Sequence, residues 1–282
     1  MQAEKQFSEI PIEEVQAFWN SRPCNLRHSA KACGTKEYFD EVEKKKFFVE
    51  PSLVEFANFP SVKGKKVMEI GCGLGTTTVN FARAGAVKVT AIDLSDKSIA
   101  LAKQRAEVYG FTQQIEFHNI NAEQLSKHIS AETYDLIFSF GVIHHTPHPE
   151  KILKEAHKFL KPDGQLKIMV YYRYSWKVFW IVMKYGKFQF WQTAKLVAKY
   201  SEAQTGCPIT YIYNKKEAKE LLEQSGFKVI SIDVDHIFPY RIPEYVKHEY
   251  IKEWYFRFMP QRFFRFLEKR LGWHLCLTAV KK

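Results

Sequence analysis

The chain has 282 residues, 46% of them hydrophobic and 26% charged. That apolar content excludes a disordered chain, and the length allows one large domain or two small ones, each able to bury a core. The net charge of +11 is unevenly spread: residues 1–150 hold 17 Lys and Arg against 19 Asp and Glu, and residues 151–282 hold 25 against 12.

In chain order, the opening Met1–Glu9 has no apolar run and so reads as no secretory signal. Residues 8–60 read as helical and irregular segments, with a polar, turn-prone stretch from Phe18 to His28. Strand and helix patterns then alternate. Lys65–Ile70 is a short apolar strand, Thr76–Ala84 a helix, and Val87–Ile92 a strand ending on Asp93. Ser95 is placed to cap a helix running to Tyr109, with Gly110 as its stop. Strands follow at Ile115–His118 and Tyr134–Phe140, a helix at Pro149–Leu160, and a strand at Gly164–Tyr171. Strands alternating with helices indicate a parallel α/β sheet. Residues 172–213 are an aromatic, basic insertion with helical spacing in part. Asn214 and Glu217 make a capping-box start to a helix ending at Gly226. Phe227–Val234 is a strand, residues 238–272 are a second aromatic, basic insertion, and His274–Val280 is a last apolar strand. The simplest organisation is one domain: cap 1–60, core 61–171, insertion 172–213, and a C-terminal part 214–282 that contains the second insertion. The apolar run Val178–Met183 is six residues, far too short to span a bilayer. The five cysteines are scattered without a CxxC pair, which argues against a disulfide framework or zinc cluster and for a reducing, cytoplasmic setting; no metal is expected.

The stretch Glu69-Ile-Gly71-Cys72-Gly73-Leu-Gly75-Thr76 carries the most chemical information. A strand enters a glycine-rich turn that opens a helix, so free backbone N–H groups face whatever lies on the turn. Thr76 stands where a dinucleotide fingerprint has its third glycine, and no Gly-Lys-Ser/Thr follows as in a P-loop. Asp93, at the end of the next strand, can accept two hydrogen bonds from a ribose diol. An ordinary helix cap would use the same residue. Together, in strand–turn–helix–strand order, these features favour a nucleoside-type ligand.

These motifs, with Asp93-Leu-Ser, Asn121-Ala-Glu123, Tyr134 to His145 and Leu160-Lys-Pro-Asp-Gly164, resemble class I S-adenosylmethionine-dependent methyltransferases. The likeness is nearest the small-molecule branch that includes ubiquinone and menaquinone methyltransferases, and it covers about residues 60–172. It implies a Rossmann-like, seven-stranded, mostly parallel sheet whose last strand is antiparallel. It also implies S-adenosylmethionine as cofactor and S-adenosylhomocysteine as product. By position, Glu69, Gly71, Cys72, Gly73, Gly75 and Thr76 would surround the methionine moiety, Asp93 would bind the ribose, and Leu94 would pack on the adenine. Asn121, Ala122 and Glu123 would lie by the adenine, and Phe140 and Gly141 would border the sulfonium. Asn121 departs from the Asp common at its position.

A sulfonium methyl is already electrophilic, so the protein must chiefly align the partners and exclude water. A base is needed only for a protonated nucleophile. His144 and His145 follow the fourth strand at the carboxyl end of the sheet and are the expected base or substrate contacts, although either would serve equally in packing. By the same resemblance Arg22, Asn25, Arg27 and His28 would form a lid over the cofactor, where their donors suit an anionic group, although a solvated surface loop would look the same. Tyr172, Arg173, Tyr211, Tyr213, Tyr240 and Arg241 are the further substrate-side candidates. The expected acceptor is a small, anionic metabolite methylated on oxygen or nitrogen. A lipid or quinone methyltransferase resting on a membrane is the rival, prompted by Trp176, Phe179, Trp180 and Met183 with Lys177, Lys184 and Lys187 between them. That stripe is expected to be core or a dimer face. Nucleic acid is disfavoured as a partner, since no separate RNA-binding module is present.

Overall fold

The computed structural model describes residues 7–201 and 206–282; the first six residues of the opening segment and residues 202–205 of the first insertion lie outside it. The N-terminal cap consists of α1 (Ile12–Ser21), α2 (Lys36–Val49) and α3 (Pro51–Ala57). The core then alternates β1 (Lys66–Ile70), α4 (Thr76–Arg83), β2 (Lys88–Asp93), α5 (Asp96–Val108), β3 (Ile115–Asn119), α6 (Leu125–His128), β4 (Tyr134–Phe140), α7 (Pro149–Phe159) and β5 (Leu160–Tyr171). The first insertion folds into α8 (Trp176–Gly186) and α9 (Thr193–Tyr200), followed by α10 (Lys215–Gln224) and β6 (Phe227–Asp235). The second insertion holds α11 (Ile242–Val246), α12 (Trp254–Arg257) and α13 (Gln261–Leu271), and β7 (His274–Lys281) closes the chain.

The seven strands form one sheet in the order β3-β2-β1-β4-β5-β7-β6. The first five pair in parallel, and β7 runs antiparallel between β5 and β6. This is the mostly parallel sheet with an antiparallel last strand expected from the sequence. Because β1 sits between β2 and β4, the chain order reverses there, and the crevice at the carboxyl ends of those strands is where α/β sheets bind ligands.

Successive residues of β1 serve opposite faces, as strand geometry requires. Met68 and Ile70 join a core with α7, α10 and β7, while Val67 joins a second core with α4, α5 and the cap. Local signals place the helix starts. Ser95 accepts from the Ser98 N–H, Ser175 from Val178, and Asn214 with Glu217 forms the reciprocal capping box. Two sequence expectations shift. β5 begins at Leu160 rather than Gly164, because a register break against β4 lets residues 161–164 bulge within the strand. In α8 the buried residues are Val178, Ile181 and Val182, whereas Phe179 of the aromatic stripe is 46% exposed and Trp176, Trp180 and Met183 are only partly covered. Helical period put the aliphatic side chains deepest on the core face, with Trp180 of the stripe packed at the edge of the same core.

Candidate active site

The turn after β1 is built by backbone conformation. Gly71, Gly73 and Gly75 all have positive φ. A Cβ on Gly71 would lie 2.1 Å from a methyl of Val142, so only glycine lets the turn pass under the β4 loop. A Cβ on Gly73 would meet nothing within 4 Å. The space above Gly73 is therefore room for a ligand rather than for packing. Gly75 instead lies against Ala102 of α5 and outside the cleft wall.

Asp93 is the hinge of this arrangement. Its carboxylate accepts from the Gly73 N–H at 2.8 Å and from the Ser95 N–H at 2.9 Å. Burial pushes its pKa up and these backbone donors pull it down. Each oxygen keeps a lone pair for a further donor, which is what a ribose diol requires. Beneath the turn, the Glu69 carboxylate is buried and accepts from the Thr78 hydroxyl, and burial lifts its pKa to about 7.

One cleft gathers most of the expected cofactor residues. Glu69, Gly71, Cys72, Gly73, Thr76, Asp93, Leu94, Asn121, Ala122, Phe140 and Gly141 line it, with Ile12, Val15, Trp19, Cys24 and Asn25 of the cap closing the top. Glu123 is not in the wall; its carboxylate accepts from the His148 N–H. Asn121 uses its carbonyl oxygen to accept from the Glu123 N–H. The enclosed volume is about 130 Å³, below the roughly 300–1,000 Å³ of small-molecule sites.

The cap is fastened from beneath. Arg105 of α5 is fully buried and donates to Glu43 of α2 at 2.9 Å, to Thr76 Oγ1 at 2.6 Å and to the Phe39 carbonyl at 3.1 Å. Lys46, one turn beyond Glu43, lines the cleft.

The two expected catalytic histidines part company. His145 lines the cleft beneath Trp19, with its Nδ1 2.7 Å from the Ile209 carbonyl. That contact fixes the proton on Nδ1 and leaves Nε2 as the basic nitrogen. His144 lies behind, outside the cleft wall, with its ring 3.8 Å from that of Tyr171. Neither His144 nitrogen has a hydrogen-bond partner, and burial holds its pKa well below the ordinary value.

The lid residues also divide. Asn25 faces the cleft, in a left-handed conformation with φ of 65°. Arg22 sits over the Phe18 ring, and Arg27 and His28 form a short turn of helix outside the wall. His28 meets the Tyr245 hydroxyl of α11 at 3.3 Å, and burial drives its pKa down to about 3. The tyrosines of the substrate set are structural in their contacts. Tyr211 donates to the Pro147 carbonyl and stacks with Tyr213, Tyr172 is buried in the core, and Tyr240 stacks on Phe48. Arg173 pairs with Glu217 and Arg241 with Glu244.

Three residues that sequence reasoning passed over meet beside Phe140. Glu50 follows α2, His236 follows β6 and His274 opens β7, and their ligand-type atoms lie within 4.8 Å of one another. The His236 and His274 rings stack at 4.3 Å, and His274 meets the Phe140 ring edge-on at 5.2 Å. A histidine directly after one strand and another opening the next was the available signal, since the antiparallel β6–β7 pairing brings such positions together.

Residues 61–226 match the family model described as "Methyltransferase domain". The chain is 31% identical over 119 residues to a ubiquinone biosynthesis O-methyltransferase of Nitrosococcus oceani, covering 42% of this chain and 49% of that protein. It is 35% identical over 106 residues to the Haemophilus ducreyi protein of the same name, covering 36% and 44%. The chain thus spans about half the length of these curated relatives. Among solved structures, magnesium protoporphyrin IX methyltransferase from Synechocystis, crystallised with bound SAH, superposes with a TM-score of 0.60 at 15% identity, covering 96% of this chain and 100% of that one. That likeness is one of fold.

Proposed function

The chain belongs to the class I S-adenosylmethionine-dependent methyltransferases, and from that premise we propose that it transfers a methyl group from S-adenosylmethionine to an oxygen atom of a small, anionic metabolite. One observation carries the cofactor assignment: Asp93 binds the Gly73 N–H while the space above Gly73 stays open, at the reversal of strand order. Cys72, Gly73, Thr76 and Asp93 would hold the cofactor, Leu94 and Ala122 would flank the adenine, and Phe140 and Gly141 would border the sulfur. Bound there, S-adenosylmethionine supplies a methyl group activated by its sulfonium. The chain's own part is to hold the acceptor oxygen in line and to keep water out, a positioning effect worth on the order of 7–11 kcal/mol. The cap helices Ile12–Ser21 and Lys36–Val49 suit the second task, because they close over the cleft.

Oxygen is favoured over nitrogen because the relatives named above are O-methyltransferases. An anionic acceptor suits Lys46 in the cleft wall and the basic second half of the chain. Calorimetric titration with S-adenosylmethionine and S-adenosylhomocysteine tests the reading. Micromolar binding of both is the expected result, and a folded sample that binds neither, with or without acceptors present, overturns it.

A second reading places the reaction at an anionic lipid surface. It is favoured by a groove outside the cleft whose walls include Arg173, Trp176, Phe179, Phe190 and Trp191, the last of these 80% exposed. No helix among the described residues is long and apolar enough to cross a membrane. Flotation with vesicles of anionic phospholipid separates the readings: the surface enzyme floats, and the enzyme of a soluble metabolite stays below.

A further inference from the structure

Of the described lysines and arginines, two are buried, Lys45 and Arg105, and only one has a counter-ion. Arg105 is paired with Glu43. Lys45 of α2 is 5% exposed, and no carboxylate among the described residues forms an ion pair with it. Asp40, Glu41 and Glu43 of the same helix are engaged elsewhere, with Lys36 and Tyr109, with Ser29, and with Arg83 and Arg105. The Lys45 ammonium lies 4.4 Å over the Tyr245 ring of α11 and 3.5 Å from His248 Nδ1. An ammonium has three donors, so a ring face and one long contact leave it able to take an anion. Burial pulls its pKa down and no partner pulls it back. An unpaired buried charge is costly.

Donors without acceptors gather beside it. The Tyr38 hydroxyl donates to the Leu26 carbonyl at 2.9 Å and holds the lid turn, which sets His28 edge-on to Tyr245. The Tyr245 hydroxyl meets His28 Nε2 at 3.3 Å. With the phenol donating, the proton of the neutral ring stands on Nδ1, and that nitrogen is buried without a partner. Lys46 is one residue on from Lys45 and lines the cleft. The charges acting on His28 are Lys45, Lys46 and His248, all of them basic. The carboxylates nearest in effect are Glu69, on which Lys46 acts, and Glu50, which acts on Tyr245.

We propose that Lys45, Lys46 and the Nδ1–H of His28 form an oxyanion site between the cap and the second insertion, suited to a phosphate group. A phosphate monoester brings about two negative charges and three acceptor oxygens at pH 7, which answers two ammonium groups and one orphaned N–H. The anion ties the lid turn, α2 and α11 together. Because Lys46 is also in the cleft wall, it stands at the mouth of the cleft. Its source is either free phosphate or the charged end of a methyl acceptor. The second source rests on the methyltransferase reading; the site itself does not. An anion that holds the cap down strengthens cofactor binding, and by linkage the cofactor strengthens the anion by the same factor.

The experiment uses the full chain in phosphate-free Tris buffer at pH 7.5. Inorganic phosphate and phenyl phosphate are titrated by calorimetry, with and without S-adenosylhomocysteine. The wild type is expected to bind phosphate with a Kd of about 1 mM or tighter. Its Tm should rise by about 3 °C at about 10 mM phosphate. Lys45→Met keeps the stem under Tyr245 and removes the charge. It should weaken phosphate binding at least about tenfold. Without phosphate it should be no less stable than wild type, because an unmatched buried charge is gone. Lys44→Met removes the same charge from an exposed position of α2 and should bind phosphate as wild type does. If Lys45→Met does not fold, His28→Phe, which deletes the orphaned N–H, should weaken phosphate several-fold. Tighter binding of phenyl phosphate than of phosphate in the S-adenosylhomocysteine complex assigns the anion to the acceptor, and equal or weaker binding assigns it to the free ion. A wild type that binds neither probe overturns the proposal. So does an equal loss in Lys44→Met and Lys45→Met, or a Lys45→Met that is destabilised yet binds phosphate normally. Phosphate binding without any S-adenosylmethionine binding would leave the site standing and bring down the methyltransferase reading instead.

Discussion

The two sides of the cleft are made differently. On the side of β1 and β2, the working groups are backbone N–H donors, Gly71 and Gly73, and the carboxylates of Glu69 and Asp93, all within 25 residues of chain. On the side of β4 to β7, they are side chains: Phe140 and His145 in the cleft wall, with His144, His236, His274 and Glu50 outside it, drawn from the cap, the β4 loop and two strand ends. On the first side the Asp93 and Glu69 carboxylates each already accept hydrogen bonds from neighbouring residues. The second leaves both His144 nitrogens and His274 Nδ1 buried without partners. Buried polar groups are costly unless bonded. A side that is already satisfied suits one invariant ligand, and a side with unmet nitrogens suits a ligand that brings its own donors.

Breaking the first side should have the largest effect. Arg105→Met removes the buried donor that joins α2, α4 and α5 and leaves the Glu43 carboxylate to Arg83 and Asn80 alone. The expected cost is about 1.5–3 kcal/mol of stability, the worth of a hydrogen bond to a charged group, read by urea denaturation. A loss below about 1 kcal/mol would mean that the cap is not held through this residue. Asp93→Ala comes next. It deletes a charge-assisted acceptor for the ligand and for Gly73, and S-adenosylmethionine affinity should fall at least 100-fold, with each such bond worth about 1.5–3 kcal/mol. The fold should survive, because the buried carboxylate is itself held at a raised pKa. Near-normal affinity would remove Asp93 from the site.

The contrast explains what could be read from the sequence. The glycine turn, Asp93, the Ser95 cap and the Asn214–Glu217 capping box are local, and each is decided by residues within one or two turns of chain. The seven-stranded sheet with its antiparallel last strand came with the family resemblance, which itself covers about residues 60–172, whereas the strand order is seen only in the structure. Arg105 gave no signal: it lies on an apolar helix face with Ile99, Ala102 and Ala106, and its partner Glu43 is 62 residues away. Of the Glu50, His236 and His274 cluster only the two histidines left a signal, at the facing ends of β6 and β7, and Glu50 gave none. The expected lid and insertion residues were chosen by chemical type, and several turned out to be paired with neighbours, as Arg173 is with Glu217 and Arg241 with Glu244.

Acid should sharpen the comparison. Burial lowers the His236 pKa from 6.5 to about 4. Below pH 6.5 the unfolded chain takes up a proton that the folded chain refuses, so this residue's share of stability, full above pH 6.5, is lost as pH falls toward 4. The expected slope is up to about 1.4 kcal/mol per pH unit. Glu69 acts in the opposite sense, since its raised pKa of about 7 makes the folded state bind the extra proton between pH 4.5 and 7. Comparing wild type with His236→Asn cancels the Glu69 effect. Asn also tolerates the left-handed backbone. The variant should lose less stability than wild type between pH 6.5 and 4.5, and equal losses would mean that His236 titrates normally.

The smallest effect belongs to the clasp between the two sides. Lys45 of α2 lies over the Tyr245 ring at 4.4 Å and 3.5 Å from His248, while the Tyr245 hydroxyl meets His28 at 3.3 Å. The lid of the first side is thereby tied to the second insertion, which belongs to the other. His28 is neutral at pH 7, so its Nε2 can accept from the phenol. Tyr245→Phe keeps the ring under Lys45 and deletes only that hydrogen bond. Global stability should fall by about 0.5–1.5 kcal/mol. The sharper readout is local: proteolysis of the exposed chain at residues 29–33, between His28 and α2, should speed up several-fold while the sheet stays protected. Cofactor binding should slow the cleavage in wild type and variant alike, because a ligand under the cap holds it down whichever side supplies the tie. Unchanged cleavage in the variant would mean that the cap is fastened through its contacts with the core, such as those of Arg105, and that the second insertion has no part in closing the cleft.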